Sequence, residues 1–193
     1  MLMCKNEDIE DKEYLVYLYM NETYRVFRDR LIDEKDRDKF SEAAHTILEK
    51  YMAMDWELSE YKNVLFGDFE TPDKKYIKLS PNDDLIPCLD KQLEAYNSDY
   101  RPMNLVFFDD CIMHLSKIAR ILRQERGNAM LVGVGGSGRS SMAKLGAKIN
   151  RMGTYGIEIT KNYREKEWHE NIKELLRQTG VDSDVTQFLF SDT

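Results

Sequence analysis

The stretch Met130-Leu-Val-Gly-Val-Gly-Gly-Ser-Gly-Arg-Ser-Ser141 passes from an apolar run into glycines and then into a helical pattern. Four of the six positions from 133 to 138 are glycine, which lets the backbone curl with its N–H groups pointing inward. The helix predicted to begin near Arg139 adds the positive end of its dipole. The stretch therefore predicts a phosphate-binding loop at the end of a strand.

The loop matches the pattern G-x-x-x-x-G-K-[ST] from Gly133 to Ser140, except that Arg139 stands at the lysine position. Further along the chain, the run Phe188-Leu-Phe-Ser191 closes on Asp192. In phosphate-loop proteins an aspartate at the end of such a strand holds the Mg2+ that accompanies the nucleotide. The order of loop, helix, strand and aspartate therefore favours nucleotide binding.

Two other interpretations of the glycines stay open. Gly133, Gly135 and Gly138 also fit the dinucleotide-binding pattern G-x-G-x-x-G, with Glu158 twenty positions after the last glycine. In that fold the acid ends the second strand, whereas the apolar alternation from Tyr155 to Thr160 predicts Glu158 inside the strand. The third interpretation is a glycine-rich turn that binds no ligand.

Composition excludes several classes of function. The 193 residues carry a net charge of −7, with lysine and arginine interleaved among acids, which argues against nucleic-acid binding. No apolar run reaches the length of a membrane span and the first residues do not form a secretory signal, so we expect a cytoplasmic protein without membrane contact. The cysteines and histidines are scattered, which favours reduced thiols and structural histidines; these residues are Cys4, Cys88, Cys111, His45, His114 and His169.

Hydrophobic periodicity predicts helices in the first part of the chain and alternating strands and helices in the last part. Asp33 is the predicted N-cap of the second helix, and Pro102 is predicted to stand just before the fourth. Short connections between the last strands imply parallel pairing, with ligands at their carboxyl ends. The predicted helices are 9–31, 34–54, 85–96, 104–124, 140–152 and 165–178, and the predicted strands are the apolar run entering the glycine loop, 155–160 and 185–191.

Several separate blocks of the sequence resemble one family, the axonemal dynein heavy chains. The glycine loop, with the residues on either side of it, resembles their fourth AAA+ module, and an earlier helical block resembles the end of their third. The resemblance spans about residues 21–193. The blocks are 24–32, 64–69, 102–106, 120–128, 132–139, 157–163 and 188–193.

The resemblance implies an α/β fold with a partial P-loop NTPase (AAA+) parallel-sheet core, preceded by an α-helical region. Residues 1–63 are expected to match the lid end of the preceding module, and 64–127 a linker with helices that leads into the next. Residues 128–193 would form an incomplete nucleotide-binding core. Because dynein heavy chains are far longer, the resemblance also implies a fragment or a severely shortened product.

Carried over to this chain, the resemblance implies a site for ATP or ADP with Mg2+, and it implies no catalytic residue. The magnesium ligands would be Ser140 and Asp192. Thr193 stands where the family's pattern places a glutamate that orients the attacking water. The implied nucleotide-binding residues are Gly133, Val134, Gly135, Gly136, Ser137, Gly138, Arg139, Ser140, Ser141 and Asp192.

The implied function is a regulatory or structural nucleotide site of a ciliary microtubule motor, with little or no hydrolysis of its own. Its partners would be other AAA+ modules of a heavy chain and axonemal dynein subunits, with microtubules reached only through the full-length motor in the cilium or axoneme. Two alternatives stay open. One is a protein-interaction scaffold with a vestigial, empty phosphate loop, and the other is an active small P-loop phosphotransferase.

Overall fold

The structure is a computed structural model that describes residues 4, 9, 11–53, 56–62, 64–69, 73–79 and 85–191. The chain divides into two compact units, Met1–Leu85 and Ile86–Thr193. The elements are α1 Lys12–Val26, a 3-10 turn Arg28–Arg30, α2 Glu34–Met52, α3 Ser59–Lys62, β1 Phe66–Gly67, β2 Ile77–Lys78, α4 Leu85–Asp99, α5 Asp109–Arg123, α6 Arg139–Ile149, β3 Gly153–Gly156, α7 Glu165–Gly180 and β4 Thr186–Leu189.

The first unit is built around α1 and α2, each of which has an aspartate as its N-cap residue. Asp11 accepts a hydrogen bond from the Tyr14 amide at 2.8 Å, and Asp33 accepts one from the Lys35 amide at 3.0 Å. These bonds satisfy amides that have no partner within the helix, so the predicted cap at Asp33 is confirmed. The core that the two helices enclose consists of Val16, Met20, Tyr24, Ala44, Leu48 and Tyr61.

A short antiparallel pair covers another part of α1. β1 pairs with β2, with Phe66 opposite Lys78. Phe66 lies against Tyr14 with ring centroids 5.5 Å apart. The hydroxyl of buried Tyr76 donates to the carboxylate of buried Glu22 at 2.9 Å, which ties this pair to the helix through a satisfied polar contact.

In the second unit, α6 is the central element, because it packs on α5 and contacts both strands of a parallel pair. Leu145, Ala147 and Ile149 of α6 are fully buried. A Cβ at Gly146 would lie 3.0 Å from a methyl group of Ile118, so this glycine allows the two helices to approach closely. The strands β3 and β4 pair in parallel from Gly153 opposite Thr186, joined by the crossover helix α7.

The fourth long helix begins later than predicted. Residues 102–108 are not helical, and α5 begins at Asp109 instead of near Pro102. The side chain of Asn97 explains the difference, because it accepts a bond from the Met103 amide at 2.9 Å and donates to the Met103 carbonyl at 3.0 Å. These two bonds hold the Met103 backbone against α4, outside a helix that would begin near residue 104.

The strand predicted before the glycine loop does not pair in the part of the chain that the structure describes. Residues 127–134 have no strand partner there, and the parallel sheet has two strands. The strand predicted over 155–160 is β3, which begins earlier, at Gly153, and ends at Gly156. None of the described helices is long and apolar enough to cross a membrane.

Candidate functional site

The glycine loop curls through two residues with left-handed backbone. Gly136 and Gly138 both have φ of +77°, a region where a side chain would be strained. A Cβ built on Gly133 would lie 3.3 Å from the Ser137 hydroxyl oxygen, so the two ends of the curl approach each other. The Ser137 amide donates to the Val134 carbonyl at 3.4 Å, which closes the turn.

The loop passes directly into the first turn of α6. Gly138 is the N-cap residue, and its carbonyl accepts the first bond of the helix from the Met142 amide at 2.8 Å. The amides of Arg139, Ser140 and Ser141 precede that bond, so the helix itself gives them no acceptor. Amides in this position, together with the helix dipole, form the kind of place where phosphate binds.

The open side of the loop has room for a ligand. A Cβ at Gly135 or Gly136 would meet no atom within 4 Å. Ser137 and Ser140 are exposed, and Ser141 is half-buried. The amides at the start of α6 fit the phosphate groups of a nucleotide, and the exposed Ser140 hydroxyl is chemically suited to a hard cation such as Mg2+.

The partly exposed Arg139 side chain bends back towards the loop. Its Nη1 donates to the Leu131 carbonyl and its Nη2 to the Val134 carbonyl, each at 3.4 Å. These carbonyls lie on the arm of the chain that enters the curl. The sequence identified Arg139 as a departure from the motif but did not predict its bonds to the two carbonyls. Every residue has a backbone carbonyl, so the sequence does not show which of them accepts a bond.

The arm before the loop exposes its apolar side chains. Met130 is 88% exposed, Val132 84% and Val134 78%. In the described residues this arm has no strand neighbour, so the loop is supported by Arg139 and by α6 instead of by a sheet. Leu105 is also near the loop, because a Cβ at Gly138 would lie 3.8 Å from one of its methyl carbons.

The structure leaves the predicted magnesium ligand Asp192 untested, since residues 192 and 193 lie outside the described part of the chain. β4 ends at Leu189, three residues before it. The described residues contain no group of three or more metal-binding side chains.

Glu158 does not lie in the middle of a strand as predicted. β3 ends at Gly156, so Glu158 follows the strand and is exposed. The argument against dinucleotide binding that rested on Glu158 is therefore wrong, and the argument that rested on Asp192 concerns a residue outside the described part of the chain. The choice between the two glycine patterns depends on comparison with known proteins.

Two family models match the chain. One describes the P-loop containing dynein motor region D4 and matches residues 103–193, and the other describes an AAA+ lid domain and matches residues 1–59. The first describes a P-loop module over a range that includes the glycines, which favours the phosphate-loop pattern over the dinucleotide pattern. Together the models cover residues at both ends of the chain.

Curated relatives align with the chain over its whole length. It is 37% identical over 197 residues to dynein axonemal heavy chain 1 of Mus musculus. It is 36% identical over 209 residues to dynein axonemal heavy chain 3 of Homo sapiens and 38% identical over 197 residues to dynein axonemal heavy chain 2 of Mus musculus. The chain spans 4 to 5% of the length of these relatives.

Proposed function

This chain belongs to the axonemal dynein heavy chain family, and from that premise we propose that its glycine loop holds ATP or ADP as a regulatory or structural site. We propose further that the site has little or no hydrolysis of its own. The geometry of residues 133–141 carries the proposal. Left-handed glycines at 136 and 138 open directly into the first turn of α6, and backbone donors gather where the helix dipole is positive.

In this proposal the phosphates lie against the loop residues and Mg2+ completes the site. The nucleotide would supply a phosphate chain that the loop amides and the Arg139 guanidinium neutralise. Ser140 and Asp192 would hold the Mg2+. The proposed nucleotide-binding residues are Gly133, Val134, Gly135, Gly136, Ser137, Gly138, Arg139, Ser140, Ser141 and Asp192.

Two residues support the proposal that the site binds a nucleotide without hydrolysing it. Arg139 replaces the compact ammonium of lysine with a planar guanidinium, which is not an equivalent ligand for the outer phosphates. Thr193 offers a hydroxyl where a carboxylate would orient the attacking water. A hydroxyl with an ordinary pKa cannot act as that base near neutral pH.

Titration calorimetry with ADP and ATP tests the binding. We expect saturable binding by the wild-type chain and none by Gly135→Asp, which places a carboxylate in the loop where a new Cβ meets no atom within 4 Å. Gly180→Asp is the matched control, because a Cβ at that position at the end of α7 also meets nothing within 4 Å. Absence of heat from the wild-type chain at millimolar nucleotide would refute the proposal.

A steady-state phosphate-release assay tests the second half of the proposal. We expect turnover far below the ordinary enzyme range, which begins at about 1 per second. Turnover near that value, abolished by Gly135→Asp, would favour an active phosphotransferase instead.

A second candidate function is a protein-interaction scaffold with an empty loop. The exposed apolar side chains of Met130, Val132 and Val134 favour it, because apolar side chains grouped on a surface mark contact sites. The same calorimetry separates the two functions, since an empty vestigial loop predicts no heat with either nucleotide.

We also propose the partners and the cellular location of the chain, on the basis of the relatives' names. The chain would work beside other AAA+ modules of a heavy chain and with axonemal dynein subunits, in the cilium or axoneme, and would reach microtubules only through the full-length motor. We expect no nucleic-acid or membrane partner. The division into 1–63, 64–127 and 128–193 also remains a prediction.

A further inference from the structure

The Val134 carbonyl is the point where the glycine loop is held together. It accepts a bond from the Ser137 amide and a second from Arg139 Nη2, both at 3.4 Å. A carbonyl oxygen has two lone pairs, so both of its acceptor sites are used. One bond comes from the tip of the loop and the other from the first residue of α6.

Arg139 also reaches further back along the chain. Its Nη1 donates to the Leu131 carbonyl at 3.4 Å, three residues before Val134. The side chain runs along Gly133, since a Cβ there would lie 3.5 Å from Arg139 Cδ and 3.8 Å from its Nε. One guanidinium thus joins the entering arm, the curl and the helix.

A lysine would not reproduce this arrangement. The guanidinium presents two separate nitrogen atoms in a fixed plane, whereas an ammonium presents one strongly hydrated nitrogen on a flexible stem. Two of the five N–H donors of Arg139 bind the carbonyls, and the guanidinium retains its full charge for a phosphate.

We propose that Arg139 is a positioning residue that shapes the phosphate loop through its own carbonyls before any nucleotide arrives. The inference rests on the proposed function for its nucleotide-binding consequence only. It reverses the expectation from the motif: Arg139→Lys restores the consensus residue, yet weakens the binding of both ADP and ATP, because the curl loses its support.

The shaping role is tested first without nucleotide, in the full chain. In 15N-arginine NMR spectra, wild-type Arg139 is expected to show separate Nη signals from slowed rotation, assigned by their loss in Arg139→Lys. Exchange of the Ser137 amide should be about threefold faster in the lysine variant, because Arg139 no longer holds its acceptor, the Val134 carbonyl, in place. Arg101→Lys, the same change at an exposed residue, is the control.

The second measurement is affinity. We expect Arg139→Lys to raise the Kd for ADP and for ATP by about threefold each, because two long hydrogen bonds of 3.4 Å are lost. In Arg139→Ala, millimolar methylguanidinium should restore part of the affinity and of the Ser137 protection, and methylammonium should not. Circular dichroism of each variant verifies that the chain is folded.

The outcomes distinguish the two proposals. Unchanged Ser137 exchange in Arg139→Lys, or nucleotide binding at least as tight as that of the wild type, would overturn the role of Arg139. If the wild-type chain binds no nucleotide, the proposed function fails, while the exchange and NMR comparison still decides whether Arg139 shapes the loop.

Discussion

At the residue scale, the loop's shape rests on a backbone conformation that only glycine adopts without strain. Gly138 has φ of +77°, where a Cβ costs about 1–2 kcal/mol. We expect Gly138→Ala to lower the free energy of unfolding by about 1 kcal/mol in urea titrations. Gly135→Ala is the control, since a Cβ there meets no atom within 4 Å and the residue has no left-handed φ. An equal loss in both variants would contradict this explanation.

A second residue-scale effect belongs to the first unit, where buried Tyr61 contacts the Nδ1 atom of His45. Burial, reinforced by the nearby Tyr24, Glu49 and Glu60, raises the pKa of Tyr61 from 10.0 to about 12. The unfolded chain therefore releases this proton first. The corresponding stability is complete below pH 10 and is lost as the pH rises to about 12.

The prediction compares the wild type with Tyr61→Phe, which has no phenol to titrate. Between pH 10 and pH 12 we expect the wild type to lose about 2 kcal/mol more of its unfolding free energy than the variant does. Urea titrations at a series of pH values measure the difference. Parallel pH profiles for the two proteins would show that Tyr61 titrates normally.

At the scale of the elements, α6 contributes most to the stability of the second unit, because it packs on α5 and on both strands. Leu145 of α6 is fully buried, whereas Leu176 of α7 is 63% exposed. We expect Leu145→Ala to cost about 2–5 kcal/mol of unfolding free energy and Leu176→Ala less than about 1 kcal/mol. Chemical denaturation monitored by circular dichroism measures both. A cost for Leu176→Ala equal to that of Leu145→Ala would mean that α7 packs as tightly as α6.

At the scale of the whole molecule, ligand binding and stability should be linked. With ADP at a hundred times its Kd, the unit that contains the loop should gain about 2.7 kcal/mol. Hydrogen exchange should find the added protection in α6, β3 and β4, the elements continuous with the loop or packed on α6. Gly135→Asp should lose this gain, and Gly180→Asp should keep it.

The sequence predicted the parts of this molecule that local chemistry determines. The cap at Asp33, the start of α7 at Glu165 and the helix after the glycines are confirmed. The AAA+ P-loop class and the resemblance to axonemal dynein heavy chains are confirmed as well. The cap and the two helices depend on patterns of a few neighbouring residues, whereas the resemblance depends on separate blocks between residues 21 and 193.

The sequence-based predictions were wrong or incomplete where the structure depends on contacts beyond the immediate neighbours in the sequence. The late start of α5 depends on Asn97, which pairs with the Met103 backbone six residues away. The end of β3 depends on its register with β4, which pairs residues thirty-three positions apart. The bonds of Arg139 depend on how the backbone curls. The nucleotide ligands themselves remain a prediction.

The exposed apolar side chains of Met130, Val132 and Val134, on the segment before the loop, also affect whether the chain aggregates at high concentration. Extended apolar segments and sheet edges without neighbours readily join those of other molecules. The net charge of −7 keeps molecules apart at neutral pH, and this repulsion weakens as carboxylates take up protons or as salt screens them. Clear solutions should therefore turn turbid first in mildly acidic, salty buffers.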